Sequence, residues 1–440
     1  MRLKIGTITL LLSLGPLLLS DLAQAANSRH LQQLEETGEC AQCDLQNAEL
    51  GGAELRGVNL KGANLKGADL SDADLSNANL AGGNLEAANL STAKLLGANL
   101  FRADLENANL QEANLKEAKL DSGNLLLADL SNAQLEKTSL VKANLEGTNL
   151  LLANLTNAQL VEASLAKANL QQANLDGTNL KGANLEGADF QDANLFRTDL
   201  RATKINEETV LDEKWLFIRE VVNQQGTQNL AGADLGGAKL EGMNLAGANL
   251  ANANLAGAYL FIVNLQGANL RGTKLTNAEL RYANLSNANL QGADLGNVEL
   301  AEVNLEGAQL ENVNLRAAKI SEETVIDHQW LLVWDIVNVG GQERNLVGAN
   351  LKGADLKGVN FHRALLSHAN LEQTDLSGCN LEEAILFNAN LKSAKLAGAN
   401  LERAKLRGAD LTGADLTGAN LNQAKLCGTI MPDGTENTCE

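Results

Sequence analysis

The chain has 440 residues, of which 45% are hydrophobic and only 3% aromatic, with 40 glycines and two prolines, Pro16 and Pro432. Leucine falls at fixed intervals, which excludes a disordered low-complexity chain, and the scarcity of aromatic residues excludes an ordinary globular core. A formal charge of −19, from 54 acidic against 35 basic side chains, disfavours nucleic acid or an anionic lipid surface as a partner.

Residues 1–25 carry Arg2 and Lys4, an apolar run from Ile5 to Leu19 and a small-residue exit at Ala23-Gln24-Ala25. These are the three parts of a secretory signal, with cleavage expected after Ala25. The run contains Gly6 and Pro16 and is shorter than the roughly 20 residues of a spanning helix, so no membrane insertion is expected after its removal. Residues 26–39 read as an N-terminal cap segment.

From Leu45 the chain advances in fives, as in KGANLKGADL at 61–70, with leucine at every fifth position to Leu200, then Ile205; Phe190 is an exception. Two places before each leucine stands a small residue, such as Ala63, Ala68, Gly83, Thr148 or Val58. On a helix, leucines five apart would rotate around the axis, and on a flat strand they would alternate faces. A chain that turns a corner once per unit points every leucine and every small residue inward. Four such sides close a coil of about 20 residues, and coils stack at about 4.8 Å like neighbouring strands. A second large inward side chain would overpack the coil at a cost of about 1 to 3 kcal/mol, which explains the alanines. Asn59, Asn64, Asp69 and Asp74, just before leucines, are placed to bond corner amides. Proline is missing from the repeats because it would delete an N–H of the ladder.

The recurring Ala-Asn/Asp-Leu unit, about 69 times in three runs, resembles the pentapeptide-repeat family. That resemblance implies an all-β solenoid, the right-handed quadrilateral β-helix, of about 17 coils here.

The count breaks twice, at KINEETVLDEKWLFIREVVN (204–223) and KISEETVIDHQWLLVWDIVN (319–338). Thr209 with Asp212, and Thr324 with Asp327, read as helix starts, followed by apolar sets Leu211, Trp215, Ile218, Val222 and Ile326, Trp330, Val333, Val337. Glycines at 226 and 340–341 mark the helix ends. The expected order is solenoid 40–205, helical insert 206–226, solenoid 227–320, helical insert 321–341, solenoid 342–427 and a C-terminal cap 428–440. Such helices read best as plugs over open coil edges, which are an aggregation hazard, and otherwise as a recognition surface or hinge. Trp334 stands where the first insert has Arg219, an asymmetry that could serve a partner.

Cys40 and Cys43 open the first coil, and Cys427 and Cys439 close the last. A long coil stack holds its ends much further apart than the 4.4 to 6.8 Å Cα spacing a disulfide needs, which leaves Cys40 with Cys43 and Cys427 with Cys439. Exported cyanobacterial pentapeptide proteins resemble the chain in this Cys-x-x-Cys opening, in the Trp and Ile-Val-Asn helices and in the Met-Pro-Asp-Gly-Thr exit. A thiol-redox pair or half a zinc site, with His30 the one nearby histidine, is the competing reading of Cys40 and Cys43. Cys379 takes the inward place of an alanine. His30, His328, His362 and His368 are too scattered for a metal cluster or a general-base pair, and no catalytic motif can be placed. Glu86, Glu106, Glu146 and Glu186 could stack as a calcium ladder, but Lys66, Leu126 and Ala166 interrupt it.

Apolar residues at outward positions of the first solenoid, Leu96, Phe101, Leu126, Leu127, Val141, Leu151, Leu152 and Val161, form a candidate partner patch together with Trp334. The sequence thus describes a non-catalytic scaffold or protein-binding rod of the periplasm or thylakoid lumen, without cofactor, whose partner is another protein or a second copy. The alternatives are a DNA-mimicking topoisomerase protector, a role some pentapeptide-repeat proteins have, which the acidic charge favours and export opposes, and the thiol-redox or metal-binding protein.

Overall fold

The computed structural model describes residues 27–224 and 228–438. The chain forms two units, one ending at Gln224 and the other starting at Gln225. The expected signal, residues 1–25, lies outside the described residues, as do Gly226 and Cys439.

Each pentapeptide is one side of a four-sided coil. Asn59 pairs in parallel with Asn79, Asn64 with Asn84 and Asp69 with Asn89, a constant step of twenty residues. Within one step, Leu60 N donates to Asn79 O at 2.7 Å, Gly62 N to Ala81 O at 2.9 Å, and Asn79 N to Val58 O at 2.9 Å. Ala63 N donates back to Leu60 O at 3.0 Å, closing a corner whose third residue, Gly62, has φ +66°. That is the type II turn requirement for positive φ at its third position. Residues other than glycine also hold this conformation, among them the β-branched Thr92 and Ile262, at φ +57° and +52°.

Leucine and its small companion are both inside: Ala63, Leu65, Ala68 and Leu70 are fully buried. Each leucine contributes about 1.5 to 3 kcal/mol by leaving water. Where the small residue is threonine, its hydroxyl would be a buried orphan without a partner. Thr138, Thr148, Thr178 and Thr273 solve this alike, donating to the carbonyls of Leu115, Leu125, Leu155 and Leu250, each 23 residues earlier, at 2.7 to 2.9 Å. Cys379 does the same toward Leu356 O at 3.0 Å, in the alanine place.

On the outside, asparagines before leucine act twice. Asn79 Oδ1 accepts from Ala81 N at 3.3 Å, and Asn99 Nδ2 donates to Asn79 Oδ1 at 3.1 Å, linking one coil to the next. An aspartate lacks the amide donor and so stands at the start of such a ladder, as Asp69 does beneath Asn89 and Asn109.

The paired runs extend from Glu39 to Val210, Asn229 to Val325, and Asn345 to Ile430. The first two pass the expected ends at Ile205 and Ile320 by one further side. Val210 pairs with Asp189 and Val325 with Asn304, each a step of 21 instead of 20, so one residue is inserted in that last side. Thr209 and Thr324 are therefore inward residues of the solenoid and not helix starts. Their hydroxyls donate to Leu185 O at 3.0 Å and Leu300 O at 2.8 Å, 24 residues back.

Among the described residues three helices and one hairpin flank these runs. Helix α1 spans Ser28–Thr37, with Asn27 accepting from Arg29 N and Gly38 as its left-handed C-cap. Helix α2 spans Glu213–Asn223 after N-cap Asp212, and α3 spans His328–Val339 after N-cap Asp327. They bury Trp215, Ile218 and Val221, and Trp330, Val333 and Ile336. Val221 and Ile336 thus take the inner place expected of Val222 and Val337, because a step of three from Ile218 and Val333 keeps the stripe on the coil. Gly340 ends α3, whereas α2 ends on Gln224. The last coil closes on a hairpin of β1 (Thr429–Ile430) and β2 (Glu436–Asn437).

Candidate functional site

A coil at the end of a stack has backbone groups that the next coil would have bonded, and side chains of the helices take over those bonds. Thr203 O and Ala318 O lack the amide that, one coil earlier, Lys204 offers to Ala183 and Lys319 to Val298. In α2, Arg219 supplies it, with Nη2 donating to Thr203 O and Nε to Thr203 Oγ1 at 3.0 Å. In α3, Trp334 Nε1 donates to Ala318 O at 2.7 Å. One turn further along each helix, Asn223 Oδ1 accepts from Ala202 N and Asn338 Oδ1 from Ala317 N, both at 2.6 Å. Their amides donate to Leu200 O and Leu315 O. Trp334, singled out for a partner, turns its polar edge inward to the solenoid.

Within the second unit α3 also meets the third run. Gln329 Nε2 donates to Lys352 O at 3.0 Å, Arg316 reaches the Asp355 carboxylate at 3.1 Å, and Arg344 pairs with Asp335. Gly341 is obligatory there: a Cβ would lie 2.5 Å from the buried ring of Phe361, which stands in a leucine place.

At the other end of the first run, α1 closes the lower edge. Asp44 N donates to His30 Nδ1 at 2.9 Å and Gln33 Nε2 to Glu39 O at 2.7 Å. Cys40 and Cys43 are joined in a disulfide, and the residues are 0% and 3% exposed. Exchange chemistry requires a thiolate to reach a sulfur, which this burial obstructs, and the His30 nitrogen facing the pair's loop already accepts from Asp44 N. Among the described residues no group of three or more His, Cys, Asp or Glu is arranged to hold a metal. The expected partner of Cys427, Cys439, lies outside the described residues. Cys379 is buried, and burial pushes its thiol up to about 12.

The apolar residues of the first run do not meet as one patch. With a register of twenty, Phe101, Val141 and Val161 share one corner, where Asp121 separates the first two and accepts from Val141 N at 3.0 Å. Leu126 and Leu127 lie on the next corner, Leu151 and Leu152 on the third, and Leu96 on the fourth. Leu127, 57% exposed, leans over Gly147. The glutamate column is interrupted as expected, and Lys66 pairs with Glu86 at 2.7 Å.

Two outward groups that sequence reasoning missed lie in the second unit. Both tyrosines of the chain stand with Phe261 on one corner: Tyr259 and Phe261 have ring centres 6.0 Å apart, Phe261 and Tyr282 5.3 Å, edge to face. Ile262 stacks next to Tyr282, and both are about half exposed. Arg281 lies over the Phe261 ring at 5.8 Å. A Glu302 carboxylate bonded to the Tyr282 hydroxyl raises that phenol above its ordinary range.

The second group is a groove of about 600 Å³ on one side of the third run. Along that side the place before leucine, elsewhere usually Asn or Asp, holds Leu365, Ile385, Lys405 and Lys425 in four successive coils, each bridged to the next, and the last three line the groove. Flanking them, Glu383 bonds Arg363 at 2.7 Å and lies 4.0 Å from Arg403. The Arg363 hydrogen bond and charge hold the Glu383 carboxyl below its ordinary range. Lys405 and Lys425 enter no ion pair among the described residues. The signal was present in the sequence as four non-Asn residues spaced by twenty.

These are the features of repeat solenoid runs capped by helices and, at the last coil, by a hairpin, with outward positions that vary in groups. The chain belongs to the pentapeptide repeat family: the family model "Pentapeptide repeats (8 copies)" matches residues 39–77, 68–107, 98–133, 128–165, 163–201, 229–261, 263–292, 278–316, 345–382, 384–423 and 394–431. The fold of that family is the right-handed quadrilateral β-helix. Among solved structures, the chain is similar to HetL, a pentapeptide repeat protein involved in heterocyst differentiation regulation from the cyanobacterium Nostoc sp. strain PCC 7120. Identity is 25%, over 80% of this chain and 93% of that one, with a TM-score of 0.15. It is similar to Rfr23 from the cyanobacterium Cyanothece 51142, at 30% identity over 42% and 99% and a TM-score of 0.13. It is also similar to AT2G44920 from the Arabidopsis thaliana thylakoid lumen, at 31% identity over 24% and 70% and a TM-score of 0.16. No curated protein matches.

Proposed function

We propose that the protein is a non-catalytic scaffold that binds another protein along its outward faces, in an extracytoplasmic compartment, the periplasm or the thylakoid lumen. The observation that carries this reading is the division of labour in the coils. Inward leucines, alanines and threonines, the asparagine ladders and the helix side chains all serve the solenoid itself, while the outward corners vary and gather into an aromatic corner and a cationic groove. Such surfaces recognise; aromatic residues and arginine are the residue types enriched at protein interfaces. The buried Cys40–Cys43 disulfide supports an oxidising compartment, as does the signal pattern of residues 1–25. In this reading the three solenoid runs, from Glu39 to Val210, Asn229 to Val325 and Asn345 to Ile430, are separate segments punctuated by two helical inserts.

The test is recovery of the tagged mature protein from its native extracytoplasmic fraction after crosslinking, with mass spectrometry of the crosslinks. Crosslinks from one specific protein, converging on one face, support the reading. Recovery of the protein alone, or in a cytoplasmic fraction with residues 1–25 retained, overturns it. The charge of −19 favours one second reading, a DNA-mimicking topoisomerase protector, which inhibition of gyrase by the purified chain would establish.

A further inference from the structure

The groove on the third run changes character along its length. Ile385 lines it on one coil, with Leu365, 36% exposed, bridged to it on the coil before, and the next two coils present Lys405 and Lys425. Arg403 is bonded through Nε to Gln423 at 2.9 Å and is paired with Glu383 and Glu402, so among the described residues the unpaired cations of the groove are Lys405 and Lys425. Glu383, the carboxylate between Arg363 and Arg403, is neutralised by both, so the far end is left with unpaired lysine charge in a chain of −19.

We propose that this groove docks an extended, acidic polypeptide segment of a partner protein, with one apolar side chain against Leu365 and Ile385 and carboxylates at Lys405 and Lys425. This rests on the reading of the protein as a binding scaffold and names the chemistry of its partner. Coils repeat at about 4.8 Å, so the three steps from Leu365 to Lys425 span about 14 Å. An extended strand advances about 6.8 Å between side chains on one face, so positions i, i+2 and i+4 cover that distance. The fitting pattern is apolar-x-acidic-x-acidic.

Charge decides against larger polyanions. A nucleic acid or an anionic bilayer would meet the repulsion of the acidic chain as a whole, whereas a short segment senses charges only within a Debye length of about 8 Å at physiological salt. The apolar half of the groove offers nothing to a phosphate backbone.

The test titrates the full mature chain into a fluorescein-labelled peptide, Ser-Leu-Ser-Glu-Ser-Glu-Ser, and follows anisotropy. Controls are the same peptide with lysine for both glutamates or serine for leucine, a single-stranded oligonucleotide, and phosphatidylglycerol vesicles. Wild type should bind the parent peptide at least tenfold more tightly than either control peptide, and the K405E/K425E variant should lose at least tenfold. I385N, which installs the residue the other sides carry and so should fold normally, should lose binding as well; thermal melts confirm folding of both. Equal binding of the parent and lysine peptides, unchanged affinity in the variants, or tighter binding of oligonucleotide or vesicles overturns the proposal. So does a concentration-dependent dimer that K405E/K425E dissociates, which would assign the groove to a second copy. Crosslinking K405E/K425E in parallel separates the two readings: a partner captured equally by variant and wild type leaves the scaffold standing and removes the groove, and no partner with either removes the scaffold.

Discussion

Arg219 and Trp334 occupy the same place in α2 and α3 and do the same work: each donates to the carbonyl of the equivalent residue, Thr203 or Ala318, in the coil beneath. Two unlike side chains are interchangeable there because the requirement is a single N–H at the right height. Trp334→Phe keeps the packing and removes the donor, leaving Ala318 O without that bond. A lost hydrogen bond to a part-buried carbonyl costs about 1 to 3 kcal/mol. Hydrogen exchange of residues 300–340 should accelerate accordingly, and Trp334→Arg should recover most of the protection.

Inward threonines provide a second test. Thr178→Val retains the shape but loses the bond to Leu155 O, and a loss of about 1 kcal/mol is expected in urea unfolding. Ala128→Leu adds bulk where Ala128 is 1% exposed, and overpacking should cost about 1 to 3 kcal/mol.

Ile262 holds φ +52° while half exposed, a conformation that strains a β-branched side chain. Ile262→Gly should raise the melting temperature, relieving about 1 to 2 kcal/mol of strain less the entropy cost of glycine.

With its thiol pushed up to about 12 by burial, Cys379 stays protonated at pH 8. Iodoacetamide should leave it unmodified in the native protein and alkylate it in guanidinium, and Cys379→Ala should be well tolerated.

The third run should weaken in acid. Its hydrogen bond with Lys352 lowers the Glu372 carboxyl, and that with Arg363 lowers Glu383. A folded pKa below the unfolded one gives stabilisation that is complete above the ordinary carboxylate range near 4 and is lost as pH falls through the lower folded values. E372Q/E383Q should therefore show a shallower loss of stability between pH 5 and pH 2 than the wild type, measured by urea unfolding at each pH.

Much of this was legible because a period of five with inward leucine admits few geometries. The coil, the place of alanine, and the roles of Asn64 and Cys379 all follow from it. Thr209 and Thr324 are harder: Thr-x-x-Asp is also a helix-start pattern, and only the pairings of Val210 with Asp189 and Val325 with Asn304 reveal the one inserted residue that returns each threonine to the inward place. The outward apolar residues of the first run fall on four corners because closeness in sequence is not closeness on a coil. The arithmetic of twenty that stacks Glu86 on Glu106 also sends Leu96 and Phe101 to different corners. The same arithmetic brings Ile262 beside Tyr282 and aligns Leu365 with Lys425.

A helix that reproduces the hydrogen bonds of a missing coil has an evolutionary consequence. The coil beneath it bonds alike to a further twenty residues or to the cap, so whole coils can be duplicated or deleted between caps with no compensating change elsewhere. Each solenoid run behaves as a ruler graduated in steps of about 4.8 Å, and its length can be selected independently of what its faces recognise.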